Sequence, residues 1–302
     1  MYKTQIDQTQ VKTFVDGYFK NSVDHLAVVN SGAFSQAYAF ENFGDKFIVR
    51  FNSHTSEGFR KEAIVYAEYS DIPTPRIIDI GEYEGLHYSL TEAYSGLQLH
   101  KLDRETMQAV LPSLFASMNT IHTQKIKSGG FGLWGLDQKG KLSSFEEQLR
   151  RFINEPKWEA WAKQHPFFDI RFAQKLKAEF ENLVKYIPAE RYFLHGDFGR
   201  TNIFALDNRI EGFIDWSEAM YGDFLLDLAW CAFWENKVDM IAAYYNFNKE
   251  NPRLNMHDFE ARVRLYLTFS ALNNMVFEVG RGKEDLYHDT ILAIRRNLNE
   301  DF

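Results

Sequence analysis

Three oxygen-bearing side chains in the second half of the chain are spaced so that they could share one piece of chemistry: Asp197, Asn202 five residues later, and Asp215 thirteen beyond that. Between Asn202 and Asp215 run two short apolar stretches, 203–206 and 210–214, on either side of Asp207-Asn208. That pair suits a two-residue turn, and the pattern predicts a β-hairpin. Folding the hairpin about the 207–208 bond brings the Asn202 end of one strand beside the 213–215 end of the other. An amide oxygen and a carboxylate then point into one small volume. These are hard ligands of the kind Mg²⁺ accepts, since it keeps several waters and binds through one or two carboxylates plus substrate phosphates. Asp197, just upstream, is left for a different task. A plainer alternative has His195 and Asp197 capping a turn and Asp215 merely ending a strand. The joint spacing, with Gly222-Asp223 and Asp227 downstream, weighs against it.

The order His195-Gly196-Asp197, four residues, Asn202, a hairpin, then Ile214-Asp215-Trp216 resembles the catalytic segment of protein kinases. Glycine after the histidine, and no glycine after the aromatic that follows the second aspartate, resemble the small-molecule branch of that fold, the aminoglycoside and macrolide phosphotransferases. Phe51-Asn52-Ser53 with Gly58-Phe59, residues 78–82, Gly130-Phe131-Gly132 and residues 214–223 are similar to the hygromycin B phosphotransferases within that branch, in order and over most of the chain. Departures are Gly196, where the family has alanine, and an acceptor-binding half that matches only in patches. The resemblance implies an α+β, bilobal protein-kinase-like fold, with an N-terminal antiparallel sheet lobe and a larger, mainly helical C-terminal lobe. It implies transfer of the γ-phosphoryl of ATP, with GTP left open, to a hydroxyl of an aminoglycoside, with Mg²⁺ as cofactor and antibiotic resistance as the setting. Carried over residue by residue, Asp197 is the catalytic base, and Asn202 and Asp215 are the metal ligands.

The elements that must position these groups begin with an amphipathic helix over 7–20, where Val11, Phe14, Val15 and Tyr18 recur at helical spacing. Alternating apolar runs at 26–30, 34–40 and 46–51 predict antiparallel strands with tight turns. The small polar turn 30–35, with Ser31 and Gly32, suits lying over phosphates with its N–H groups inward. Kinase-like folds carry a phosphate-contacting lysine on the third strand, paired with a glutamate on the next helix. Here Arg50 takes that place, keeping the charge and offering a planar fork. Glu62, in a helix over 57–69, is the expected partner, with Glu57 in reserve. Strands over 76–81 and 86–93 turn at Glu84-Gly85, and the hinge that reads the adenine edge falls by order at Glu92, Ala93 and Tyr94. Beyond residue 97 the period becomes helical, with helices expected over 105–122, 144–153, 156–164, 169–186, 225–235, 237–246, 258–279 and 283–298. A Gly-rich loop is expected over 128–140. The shift divides the chain into 1–95, a nucleotide-binding lobe, and 96–302, a catalytic and acceptor-binding lobe. Near the site in sequence, Glu218 is the expected contact for an acceptor ammonium. His122, Asp223 and Asp227 read as structural.

Composition bounds the rest. The single Cys231 cannot form an internal disulfide, and its apolar neighbours predict a buried, inert thiol. The N-terminus has no basic and apolar leader pattern, and no apolar run nears the ~18 residues of a spanning helix. A cytoplasmic monomer that engages neither membrane nor nucleic acid is expected; the net charge of −8 argues against a phosphate-backbone partner. From Ala205 onward, 17 acidic residues face 10 basic ones, a net of −7. That imbalance suits a cationic acceptor, although an acidic surface kept for solubility would look the same. Alternatives are a kinase for a macrolide or other small hydroxylated metabolite, and a non-catalytic nucleotide-binding module, against which the intact Asp197, Asn202 and Asp215 count. A protein kinase fits least, because little chain separates Asp215 from Gly222-Asp223.

Overall fold

The computed structural model describes residues 4–29 and 35–298. The backbone forms two compact units, Met1–Leu99 with Thr201–Glu218, and His100–Arg200 with Ala219–Phe302. Among the described residues no helix is long and apolar enough to cross a membrane.

The first unit opens with α1 (Gln8–Phe19), started by Asp7, whose side chain accepts from the Thr9 amide while Gln10 reaches back to the Asp7 amide. There follow β1 (Asp24–Val29), β2 (Gln36–Asn42), β3 (Asp45–Asn52), α2 (Glu57–Glu68), β4 (Ile77–Tyr83), β5 (Leu86–Glu92) and the short β6 (Leu97–Gln98). The five longer strands form one antiparallel sheet in the order β1-β2-β3-β5-β4. Their inward residues, Tyr38, Phe40, Val49, Phe51 and Leu90, pack with Val11 and Val15 of α1 into one core. The β2–β3 and β4–β5 hairpins both close through two-residue loops with φ positive at each position, Phe43-Gly44 and Glu84-Gly85.

The second unit holds α3 (Arg104–His122), β7 (Phe131–Trp134), β8 (Gly140–Leu142), α4 (Phe145–Ile153), α5 (Trp158–Gln164), α6 (Ile170–Leu183) and β9 (Tyr192–Leu194). The chain then contributes β10 (Ile203–Leu206) and β11 (Arg209–Phe213) to the first unit, where β10 pairs with both β11 and β6. It returns to the second unit with β12 (Met220–Gly222), α7 (Leu225–Phe233), α8 (Met240–Asn248), α9 (Phe259–Gly280) and α10 (Glu284–Leu298). Helix α9 is buried on most of its faces and packs against α4, α6, α7 and α10, as expected of a helix at the centre of its unit.

The second unit is mainly helical, but not wholly so. The Gly-rich stretch expected to be a loop contains β7 and the first residue of β8, and these strands join β12 and β9 in a four-stranded sheet ordered β8-β7-β12-β9. Trp134 and Tyr221 are fully buried in it. Strands of three or four residues show too little alternation to stand out in sequence, and β12 finds β7 across nearly ninety residues.

Candidate active site

The hairpin forms as its turn residues require. Asp207 and Asn208 take φ of 49° and 60°, the positive pair that matches the twist of a two-residue hairpin, and Ile203 faces Phe213 across the ladder. The Ile214 amide donates to the Asn202 carbonyl at 3.0 Å, which closes the base of the hairpin and sets Asn202 beside the strand end that leads into Asp215. Asn202 is buried at 9% exposure. Asp215 sits at φ 64°, a left-handed conformation that aspartate tolerates better than bulkier residues. Ser217 Oγ donates to Asp215 Oδ1 at 2.8 Å and steadies the carboxylate. Among the described residues no three His, Cys, Asp or Glu side chains form a metal cage. An amide oxygen and a carboxylate, the groups Asn202 and Asp215 carry, are the donor chemistry a hard cation accepts when phosphate and water supply its other ligands.

Arg50 and Glu62 meet as the sequence led us to expect. The guanidinium makes a fork with the carboxylate, Nη1 to Oε1 at 2.8 Å and Nη2 to Oε2, with side chains 16% and 7% exposed. The guanidinium carbon also lies 5.1 Å from the centre of the Phe59 ring. Burial disfavours the Arg50 cation, but the Glu62 charge and hydrogen bonds outweigh it and Asp215 adds to them, so the pKa of Arg50 moves up. Arg50, Glu62 and Asp215 thus share one electrostatic neighbourhood. Glu57, the reserve candidate, instead lies 3.7 Å from Lys61.

Helix α2 also grips the segment after Asp215. Lys61 is 5% exposed, and its Nζ donates to the Ser217 carbonyl at 2.8 Å. Glu218 ends the one-turn 3₁₀ helix Trp216–Glu218 and is half-buried. In the segment expected to read the adenine edge, the Glu92 amide donates to the Arg76 carbonyl and the Ala93 amide to that of Lys46. The Ser95 and Gly96 amides donate to the two oxygens of Glu211, the extra residue at the irregularity in the β10–β11 ladder. Tyr94 lies over Gly212, where a Cβ would come within 1.9 Å of its hydroxyl, so only glycine fits there. Ser31 and Gly32, expected over the phosphates, lie outside the described residues.

In the second unit, β9 leads into the loop that carries Asp197. His195 and Gly196 donate their amides to Asp227 Oδ2 and Oδ1 at 2.9 and 3.0 Å, and His122 Nε2 lies 3.0 Å from Oδ2. Asp227 and His122 are both buried, and Asp227 ties His122 to the backbone that precedes Asp197. Gly196 has φ 83°, a value that penalises any side chain and accounts for glycine at this position. Trp230 Nε1 donates to Asp197 Oδ1 at 2.9 Å. Asp223 accepts from Arg262 Nε and Nη2 at 2.8 and 2.5 Å and from the Tyr266 hydroxyl at 2.8 Å, forming a buried ion pair with α9. Sequence reasoning missed Lys61, Glu211 and Trp230. Only Trp230 left a trace, standing three residues after Asp227 on the same helix face.

The sequence profile of the phosphotransferase enzyme family (APH) matches residues 25–254. The chain belongs to the phosphotransferase enzyme family. This phosphotransferase is 29% identical over 241 residues to hygromycin-B 4-O-kinase of Escherichia coli, covering 78% of this chain and 69% of that one. It is 26% identical over 177 residues to aminoglycoside 3′-phosphotransferase of Enterococcus faecalis, covering 57% and 62%. A crystal structure of a thermostable mutant of aminoglycoside phosphotransferase APH(4)-Ia, in ternary complex with AMP-PNP and hygromycin B, superposes with a TM-score of 0.78 at 25% identity, over 95% of this chain and 97% of that one. The GDP complex of aminoglycoside 2′-phosphotransferase-IIIa gives 0.72 at 13% identity over 98% and 100%, which bears on the fold alone. The phosphotransferase therefore has the kinase-like aminoglycoside phosphotransferase fold, with an antiparallel sheet in its N-terminal part and a mainly helical C-terminal part.

Proposed function

We propose that this phosphotransferase transfers the γ-phosphoryl group of ATP to a hydroxyl of an aminoglycoside of the hygromycin B type, conferring resistance to it. The observation that carries the reading is the hairpin base, where Asn202 and the approach to Asp215 are joined by a backbone bond in the electrostatic neighbourhood of the Arg50–Glu62 pair. Phosphoryl transfer asks for alignment and charge neutralisation more than for covalent chemistry, and these residues are suited to both. Asn202 and Asp215 would hold Mg²⁺, whose contribution is to offset phosphate charge. Arg50, fixed by Glu62, presents a permanent cation to the α and β phosphates. Asp197 orients the acceptor hydroxyl and takes its proton late in the transfer. Glu218 faces an acceptor ammonium.

For the nucleotide base, the amides of Glu92, Ala93, Ser95 and Gly96 all donate within the unit, which leaves the Tyr94 amide to meet the adenine edge. Ser31 and Gly32 cover the phosphates. Residues 1–95 supply most of the nucleotide contacts and 96–302 the base and the acceptor site. The acting species in this reading is a monomer in the cytoplasm, where ATP is at hand.

The test is product analysis by mass spectrometry after incubation with ATP, Mg²⁺ and, separately, hygromycin B, other aminoglycosides and a macrolide. Gain of one phosphoryl group by hygromycin B supports the proposal. Phosphorylation of the macrolide alone would replace it with the macrolide-kinase reading.

A further inference from the structure

We propose that Trp230 is a positioning residue for phosphoryl transfer, its indole N–H holding the Asp197 carboxylate in the orientation that receives the acceptor proton. The proposal rests on the reading of Asp197 as the base.

Helix α7 is nine residues long, and eight of them are buried: Leu225, Leu226, Asp227, Leu228, Ala229, Cys231, Ala232 and Phe233. Trp230 is the exception, partly exposed, so filling the core does not account for it. Three residues apart on the helix, Asp227 and Trp230 share a face. Asp227 accepts from the amides of His195 and Gly196, and Trp230 donates to Asp197 Oδ1 at 2.9 Å. One helical turn thus fixes the backbone that precedes the base and the side chain of the base itself. The chemistry suits the task. An indole N–H can donate but not accept, so it engages one carboxylate oxygen without competing for the transferred proton. Hydrogen bonding to the charged form also favours the ionised carboxylate over the acid. A phenylalanine would fill similar space and do neither.

Two variants separate the donor from the ring. Trp230→Phe keeps an aromatic ring without the donor, whereas Trp230→Gln restores an N–H at a similar reach without the ring. The proposal expects Trp230→Phe to lower kcat by about tenfold or more, since small misplacement of reacting groups is costly. ATP affinity should stay unchanged, and the acidic limb of the kcat–pH profile should move to higher pH. Trp230→Gln should recover part of the loss and return the limb towards its original position. Unchanged kcat and limb in Trp230→Phe would overturn the proposal, as would equal losses in both variants with the limb unmoved, which would mark a packing role. A readout independent of turnover is the indole N–H resonance of Trp230, assigned by its loss in Trp230→Phe. It should titrate with pH in the wild type and lose that titration in Asp197→Asn; a resonance indifferent to Asp197→Asn would refute the contact. Asp197→Ala, assayed in parallel, tests the underlying reading separately, because full turnover in that variant would remove the base whatever Trp230 does.

Discussion

Replacing Asp227 by asparagine removes a charge and one acceptor while leaving shape almost unchanged, so its effect can be worked from the contacts. The carboxylate is fully buried and meets three polar groups: Oδ1 accepts from Gly196, while Oδ2 accepts from His195 and lies beside His122 Nε2. The new amide does least harm with its NH₂ at the Oδ1 position, where it faces the Gly196 N–H and leaves that donor unmatched. A hydrogen bond to a charged group is worth about 1.5–3 kcal/mol, and an orphaned buried donor costs about 1–3 kcal/mol. These figures overlap, and a net loss of about 2–4 kcal/mol follows, or a drop in Tm on the order of 3–6 °C for a chain of this size. Because the lost contact precedes Asp197 directly, kcat should fall further than stability alone explains, with displacement of the base by an ångström costing on the order of a hundredfold. The assay is thermal denaturation by circular dichroism together with kcat at a temperature where both proteins are folded. Asp207→Asn makes the same chemical change at an exposed hairpin turn whose φ of 49° asparagine tolerates, and should leave both quantities alone. A melt within a degree of wild type and unchanged kcat in Asp227→Asn would refute the reasoning.

Three other perturbations have defined outcomes. Glu62→Ala leaves the mostly buried Arg50 cation without its fork and should cost about 3–5 kcal/mol of stability while weakening ATP binding, as read by denaturation and calorimetric titration. Lys61→Met breaks the bond to the Ser217 carbonyl, so the Mg²⁺ concentration for half-maximal turnover should rise, and an unshifted Mg²⁺ titration would show that the contact does not support Asp215. Burial pushes the Cys231 thiol up to about 12. The native protein should therefore resist a disulfide exchange reagent at pH 8 and react only as it unfolds. Because the folded pKa is the raised one, the contribution of this thiol to stability is complete below its unfolded pKa of about 8.5 and is lost as pH rises from there towards about 12. Denaturation midpoints of wild type and Cys231→Ala across that range would check the sign.

The parts of the site that lie close together in sequence were legible in it. Asp207-Asn208 between two apolar runs predicts a hairpin because only a positive-φ turn closes a two-residue loop, and the hairpin alone brings Asn202 towards Asp215. The β2–β3 and β4–β5 hairpins were readable for the same reason, their strands being long enough to alternate and joined by two-residue turns. What could not be read depends on pairing at a distance. Strands β7, β8, β9 and β12 are three or four residues long and find one another across up to about ninety residues of chain. Lys61 reaches a carbonyl 156 positions away, and Glu211 binds amides 115 and 116 positions before it. A lysine beside a glutamate on an amphipathic helix looks like any solvated pair until the backbone it serves is in place. Trp230 reads as one more aromatic in an apolar helix, its only trace being that it stands three residues after Asp227.

The most direct test of the central claim is the rate of ADP formation with ATP and Mg²⁺, with and without hygromycin B, for the wild type and Asp197→Ala, with nucleotide affinity measured on both. Antibiotic-dependent turnover is expected in the wild type, with a severe loss in Asp197→Ala at unchanged ATP affinity. Antibiotic-dependent turnover that survives in Asp197→Ala would contradict the claim.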